Sequence, residues 1–234
     1  MEGFEGKAVL VTGGFVGSAV AEAFLKSGAN IAFVYGNPNR LPILSEKFTS
    51  YHNAFLPIRA DLSDFAQAKH SVETANEKFG GVDILMNALG GWLGGKKLHE
   101  HSPSDLSKML SMDAIPTFNI MSAVLPVMME RRSGKVINFI STQIFGSGAQ
   151  NAIYSASKSA VLAFTKAAAE EYKSYGISAY AIAPSTIDTE SNRKAMPKAD
   201  SSRWVGIEEI VDAVLYLCRT GRSSSGTIIK FLTK

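Results

Sequence analysis

The sequence predicts a single doubly wound α/β domain built on a parallel sheet, and three observations lead there. Short, nearly continuous apolar runs alternate with longer stretches of helical period. Several of those stretches stop at a glycine. No proline-rich or serine-rich linker and no internal repeat interrupts the 234 residues.

Each element follows from its own residues. The strand-length runs are 8–12, 30–35, 54–60, 82–88, 135–141, 178–183 and 227–232, rich in Val, Ile, Ala, Leu and Phe with little alternation, as in strands covered on both faces. The first run enters a glycine turn and a helix over 18–27, stopped at Gly28. The second leads to a helix over 41–48, and the third to a helix over 65–79, stopped at Gly80. Next comes the longest helical stretch, 103–131. Pro116 within it has no N–H for the carbonyl of Met112, so a bend with a free carbonyl is expected near Met112 and Asp113. Helices over 153–175, stopped at Gly176, and 207–217 complete the set, with 190–205 as a short lid. Glycine after a helix suits a left-handed cap.

Composition narrows the function. With 46% hydrophobic and 19% charged residues the chain is ordinary for a globular domain. The net charge of +3 is scattered. Its densest groups, Glu130-Arg131-Arg132 and Lys96-Lys97, read as solvated, so no nucleic-acid partner is expected. One cysteine, Cys218, excludes an internal disulfide and reads as a small core residue within an apolar run. His99 and His101 sit in a polar loop without a clear third ligand, read as solvated, and no metal is expected. No signal-peptide pattern precedes the first strand. The longest apolar stretch, 120–129, carries Ser122 and Pro126 and falls short of the ~20 residues of a membrane span. A cytoplasmic, soluble protein is expected.

Two local patterns carry chemistry. Thr12-Gly13-Gly14-Phe15-Val16-Gly17-Ser18-Ala19 lies between the first strand and first helix. Glycines there let the backbone turn sharply and approach a pyrophosphate, whose charge suits a helix N-terminus. Further on, Tyr154 and Lys158 stand four apart on one helix face, thirteen residues after Ser141. The Lys158 ammonium would favour the phenolate form of Tyr154, making it a usable proton donor or acceptor, while Ser141 could hold a carbonyl oxygen beside it.

With these pieces in register, the chain resembles the short-chain dehydrogenase/reductase family over essentially its whole length. The matching pieces are the 12–19 turn, Asp61-Leu62, Asn87-Ala88-Leu89-Gly90, Ser141, Tyr154 with Lys158, and the segment from Pro184 to Thr189. The resemblance implies a seven-stranded sheet in the order 3-2-1-4-5-6-7, a bound nicotinamide dinucleotide, and a homo-oligomer, dimer or tetramer, paired through its long helices. It implies a dinucleotide site formed by the turn residues Thr12, Gly13, Gly14, Phe15, Val16 and Gly17. Asp61 and Leu62 would flank the adenine, Asn87, Ala88 and Leu89 would line the central cleft, and Pro184, Ile187 and Thr189 would hold the nicotinamide end. Asp61 also reads as a cap for the third helix. The second strand ends Tyr35-Gly36-Asn37-Pro38-Asn39-Arg40 with no acid to repel a 2′-phosphate, and Arg40 could pair with one, so NADP(H) is favoured over NAD(H). The alternative for Arg40 is a solvated loop residue.

The resemblance further implies hydride transfer on a small carbonyl or alcohol, with Tyr154 as general acid/base, Lys158 on the nicotinamide ribose and Ser141 on the substrate oxygen. Gly91, Trp92 and Gln143 join Ser141 and Tyr154 as substrate-facing residues. Asp113 stands where the family usually has asparagine. The expectation is that the carbonyl freed by Pro116 anchors a water chain to Lys158. The loop from Gly90 to Gly95, the segment 191–200 with Trp204, and the tail near Ile228 look like dihydropteridine reductase, a branch of the same family. Trp92 would then stack on a flat heterocycle or, alternatively, pack under the lid. That branch carries an acid after its second strand and lacks the serine present here as Ser141, which favours a carbonyl reductase or alcohol dehydrogenase. A non-catalytic dinucleotide sensor on the same fold is the third reading.

Overall fold

The computed structural model describes residues 3–233. Seven strands, β1 (Ala8–Gly13), β2 (Asn30–Tyr35), β3 (Phe55–Arg59), β4 (Ile84–Ala88), β5 (Gly134–Phe139), β6 (Ile177–Pro184) and β7 (Ile228–Phe231), form one sheet in the order β3-β2-β1-β4-β5-β6-β7. Every pairing is parallel. The helices are α1 (Phe15–Lys26), α2 (Arg40–Lys47), α3 (Phe65–Phe79), α4 (Pro103–Met112), α5 (Ala114–Glu130), α6 (Ala152–Glu171), α7 (Glu190–Ala195) and α8 (Ile207–Arg219). All seven expected strands are present. The glycines expected after helices, Gly28, Gly80 and Gly176, are left-handed with φ of 84°, 73° and 74°.

Each face of the sheet is covered by its own apolar cluster. One joins Val9, Val11, Phe33, Met86 and Ile182 to α1 and α8 through Phe24, Val20, Val214 and Leu217. The other joins Leu10, Ala32, Leu85 and Val136 to α3 and α5 through Val72, Ile120, Val124 and Met128. Cys218 belongs to the first cluster, and burial pushes its thiol up to about 12. Between the layers lies a buried polar chain. The Thr12 hydroxyl donates to Asn87 Oδ1 (2.7 Å), Asn87 Nδ2 donates to Asn138 Oδ1 (3.0 Å) and Thr117 Oγ1 (3.1 Å), and Asn138 Nδ2 donates to Thr165 Oγ1 (2.9 Å). A fully satisfied network of this kind fixes β1, β4 and β5 against α5 and α6.

The long stretch 103–131 is two helices rather than one bent helix. Asp113, at φ −144° and ψ −69°, is the C-cap of α4 and the N-cap of α5. Pro116 falls in the first turn of α5, where an N–H would have had no intrahelical partner. By length and composition Pro103–Glu130 would reach across a membrane, but 56% of its apolar window is buried within the protein and its middle is interrupted at Asp113. It is a core element of the α/β fold.

Candidate active site

In an open parallel sheet, ligands bind beyond the carboxyl ends of the strands where the strand order reverses. Here that point lies between β1 and β4, whose ends pair Gly13 with Ala88. Gly13 has φ +108°, and a Cβ on it would collide with the Ala88 carbonyl, so only glycine permits this close approach. Gly14 caps α1 without any side-chain bond to the helix, which leaves the first backbone N–H groups of α1 for a ligand.

A cleft of about 640 Å³ opens there, lined by Gly13, Gly14, Tyr35, Arg40, Asp61, Leu62 and Leu89 among the residues expected from sequence. Arg40 is not a solvated loop residue. It opens α2 and donates from Nη2 to the Ser18 hydroxyl at 3.0 Å, while its Nε is buried without a protein partner. A second arginine, Arg59, lines the same cleft and was missed from sequence. The β2–β3 register sets it opposite Tyr35. Its signal in the sequence is an arginine ending a strand that neighbours β2, which needs the sheet order before it can be read.

Several expected residues sit elsewhere or serve differently. The Asn87 side chain is 1% exposed and committed to the buried network, so it does not face the cleft, and Thr12 is likewise inside. Phe15 is half exposed at the start of α1, and Val16 packs partly on the core. Gly17 is buried against β1, its α-carbon close to the Thr12 carbonyl. Asn37 Oδ1 accepts from the Asn39 N–H and so closes its own turn. Asp61 does not cap α3; Asp64 does, accepting from Ala66 and Gln67 N–H, while Asp61 accepts from Ser63. The Gln67 side chain and these N–H groups hold the Asp64 carboxyl below its usual range.

The second group of residues stands at the ends of β4 and β5. Ser141 lies just past β5 and is 5% exposed; its Oγ accepts from the Gln143 N–H at 3.3 Å, which leaves its own hydroxyl proton to give. Gln143 itself is exposed. Tyr154 is half-buried in the first turn of α6. Lys158, one turn on, donates from Nζ to Asp113 Oδ1 (2.9 Å), the Phe139 carbonyl (2.9 Å) and the Leu89 carbonyl (3.1 Å). The carboxylate itself meets Lys158, and the Asp113 carbonyl is taken by the Thr117 N–H at 3.1 Å.

The outer wall is made of three loops. Trp92 is 62% exposed and does not pack beneath 190–205; its indole N–H donates to Asn151 Oδ1 at 2.9 Å, and the Gly95 N–H bonds the Gln150 carbonyl. Gly91 precedes it, with Met112 against its α-carbon. The lid is tied at its base by the Ile187–Val205 bridge and by buried Trp204. Thr189 caps its helix α7, and Arg193 clamps Asp188 with two 2.6 Å bonds that hold that carboxyl below its usual range. Pro184 ends β6 beneath it. The His101 ring is not solvated: its side chain is 3% exposed, 3.6 Å from Asp105.

Comparison with known proteins agrees with this geometry. A family model described as short chain dehydrogenase matches residues 7–200. A short chain dehydrogenase of Pseudocercospora fijiensis is 31% identical over 80% of this chain, which spans 61% of that relative's length. An uncharacterized oxidoreductase of Staphylococcus aureus is 26% identical over 90% of both chains. Among solved structures, ElxO with NADP bound superposes with a TM-score of 0.89 at 25% identity, covering 96% of each chain.

Proposed function

This chain belongs to the short-chain dehydrogenase family, and from that premise we propose that it is an NADP(H)-preferring oxidoreductase acting on a small carbonyl or alcohol, with Tyr154 as general acid/base. One observation carries the proposal. Leu89 lines the dinucleotide-sized cleft while its carbonyl accepts from Lys158, so the cleft and the Tyr154–Lys158 pair share a wall.

A nicotinamide dinucleotide, when bound, supplies or accepts the hydride. The chain does the rest. The uncapped start of α1 and the Gly13–Gly14 turn receive phosphate. Arg40, with a buried unpaired Nε, and Arg59 line the cleft beside the end of β2, where they would meet a 2′-phosphate, and this supports NADP(H) over NAD(H). Ser141 donates its hydroxyl proton to the substrate oxygen, and Tyr154 gives or takes the proton that balances hydride transfer. The short lid, tied at its base by the Ile187–Val205 bridge, supports a compact substrate over a polymer.

A pteridine-type reductase is the second reading, favoured by one feature: Trp92 presents an exposed flat ring, fixed on Asn151 one turn before Tyr154. Exposed Ile115 and Phe118 on α5, and Tyr216 on α8, support a dimer or tetramer.

The test is a fluorescence titration with NADPH and NADH on wild type and Arg40→Ala, followed by a screen of ketones, imines and quinonoid dihydropterin. NADPH binds more tightly, and Arg40→Ala weakens it by about 10-fold or more, as loss of a charge-assisted bond predicts, with NADH unaffected. Binding without turnover of any compound would favour a dinucleotide sensor, and binding of neither dinucleotide would overturn the proposal.

A further inference from the structure

We propose that Asp113 is a charge-bearing positioning residue of this site: its carboxylate fixes the Lys158 ammonium and cancels its charge, so Tyr154 works beside a neutral ion pair rather than a free cation. The catalytic consequence rests on the oxidoreductase reading above, whereas the ion pair stands on geometry alone.

An ammonium has three N–H donors. Those of Lys158 are all engaged, by Asp113 Oδ1, the Phe139 carbonyl and the Leu89 carbonyl. The other carboxylate oxygen of Asp113 accepts from the Ser157 hydroxyl at 3.1 Å. The side chains of Lys158 and Asp113 are 5% and 0% exposed, so solvent does little to screen them. The break between α4 and α5 puts Asp113 at this spot, because both flanking helices end on it. Gly90 leaves the room: a Cβ there would lie 2.8 Å from Lys158 Nζ and 3.2 Å from Asp113 Oδ1. Since Gly90 also lines the cleft, the pair is packed directly behind the cleft wall.

The titratable groups in contact are Asp113 from the α4–α5 junction and Lys158 from α6, with Tyr154 one turn before Lys158 on the same helix. The ends of β4 and β5 contribute carbonyls, those of Leu89 and Phe139. A neutral amide in place of Asp113 would still accept from Lys158 Nζ, so hydrogen bonding alone does not require an acid. What the carboxylate adds is charge. With opposite charges 2.9 Å apart, the field reaching Tyr154 is that of a dipole, much weaker than that of a lone ammonium.

The test compares wild type, Asp113→Asn, Asp113→Glu and Ser157→Ala, each with and without Tyr154→Phe. Two midpoints are read: that of the pH–rate profile in the alcohol-oxidising direction, and that of the Tyr154 phenolate absorbance in the dinucleotide-free protein. Asp113→Asn is expected to move both midpoints to lower pH by about one unit or more, the effect of unmasking one nearby charge. Asp113→Glu and Ser157→Ala, which keep the negative charge, leave both midpoints in place even where kcat falls. If Asp113→Asn does not fold, Asp113→Ser removes the same charge and carries the same expectation. Unchanged midpoints in the uncharged variants, whatever their kcat, would overturn the proposal and leave Asp113 a structural residue. The absorbance titration needs neither substrate nor dinucleotide, so an enzyme that turns nothing over would sink the oxidoreductase reading while this test still stands.

Discussion

Lys158→Met removes the ammonium but keeps most of the side chain's length. Asp113 would then remain 0% exposed, with the Ser157 hydroxyl as its remaining side-chain partner. Removing one member of a buried ion pair costs about 3–5 kcal/mol, because the surviving charge stays in the core uncompensated. The Leu89 and Phe139 carbonyls also lose a donor. For a chain of this size each kcal/mol moves the melting temperature by about 2–4 °C. The product is a fall of about 6–20 °C for Lys158→Met. Asp113→Leu alone strands the opposite charge and should fall comparably. The two together remove both charges, and an apolar pair of similar volume is often neutral or stabilising. Scanning calorimetry on wild type, both singles and the double gives the coupling free energy directly. A Lys158→Met protein melting within about 2 °C of wild type, or strictly additive single effects, would refute the reasoning.

Two further outcomes follow from the packing. Gly13→Ala forces a side chain into a positive-φ position against the Ala88 carbonyl; the strain is worth about 1–3 kcal/mol, read as a lower melting temperature together with at least about 10-fold weaker dinucleotide binding. The Cys218 thiol, held up to about 12 against a reference of 9.0, keeps its proton in the folded protein where the unfolded chain loses it. The folded state therefore binds more protons between those values, and stability declines as pH rises from about 9 towards 12, on the order of 1.4 kcal/mol per unit. Urea midpoints at increasing alkaline pH should fall more steeply for wild type than for Cys218→Ala; parallel curves would contradict this.

The sheet was legible because its strands are covered on both faces and so read as unbroken apolar runs, as in 30–35, whose bounds match β2. The glycine turn and the Tyr154–Lys158 spacing were legible because both are local. What escaped depended on distant partners. Arg59 enters the cleft through strand register with Tyr35, and Asn87 turns inward because Thr12, Thr117 and Asn138 meet it there. The bend expected from Pro116 is a full break at Asp113, whose carboxylate meets Lys158 and Ser157 from a different helix. The cap of α3 is Asp64, three residues beyond the Asp61 expected from sequence. The six-residue α7 is too short for its period to register within the lid.

The central claim is that Tyr154 moves the proton that balances hydride transfer, and it is tested most directly by Tyr154→Phe. General acid–base groups contribute about 10²–10⁴-fold to rate. The account predicts that turnover of the best substrate from the screen falls by at least about 100-fold, while NADPH affinity by fluorescence titration stays within about twofold of wild type. Turnover retained within about tenfold, or NADPH binding lost in step with turnover, would contradict it.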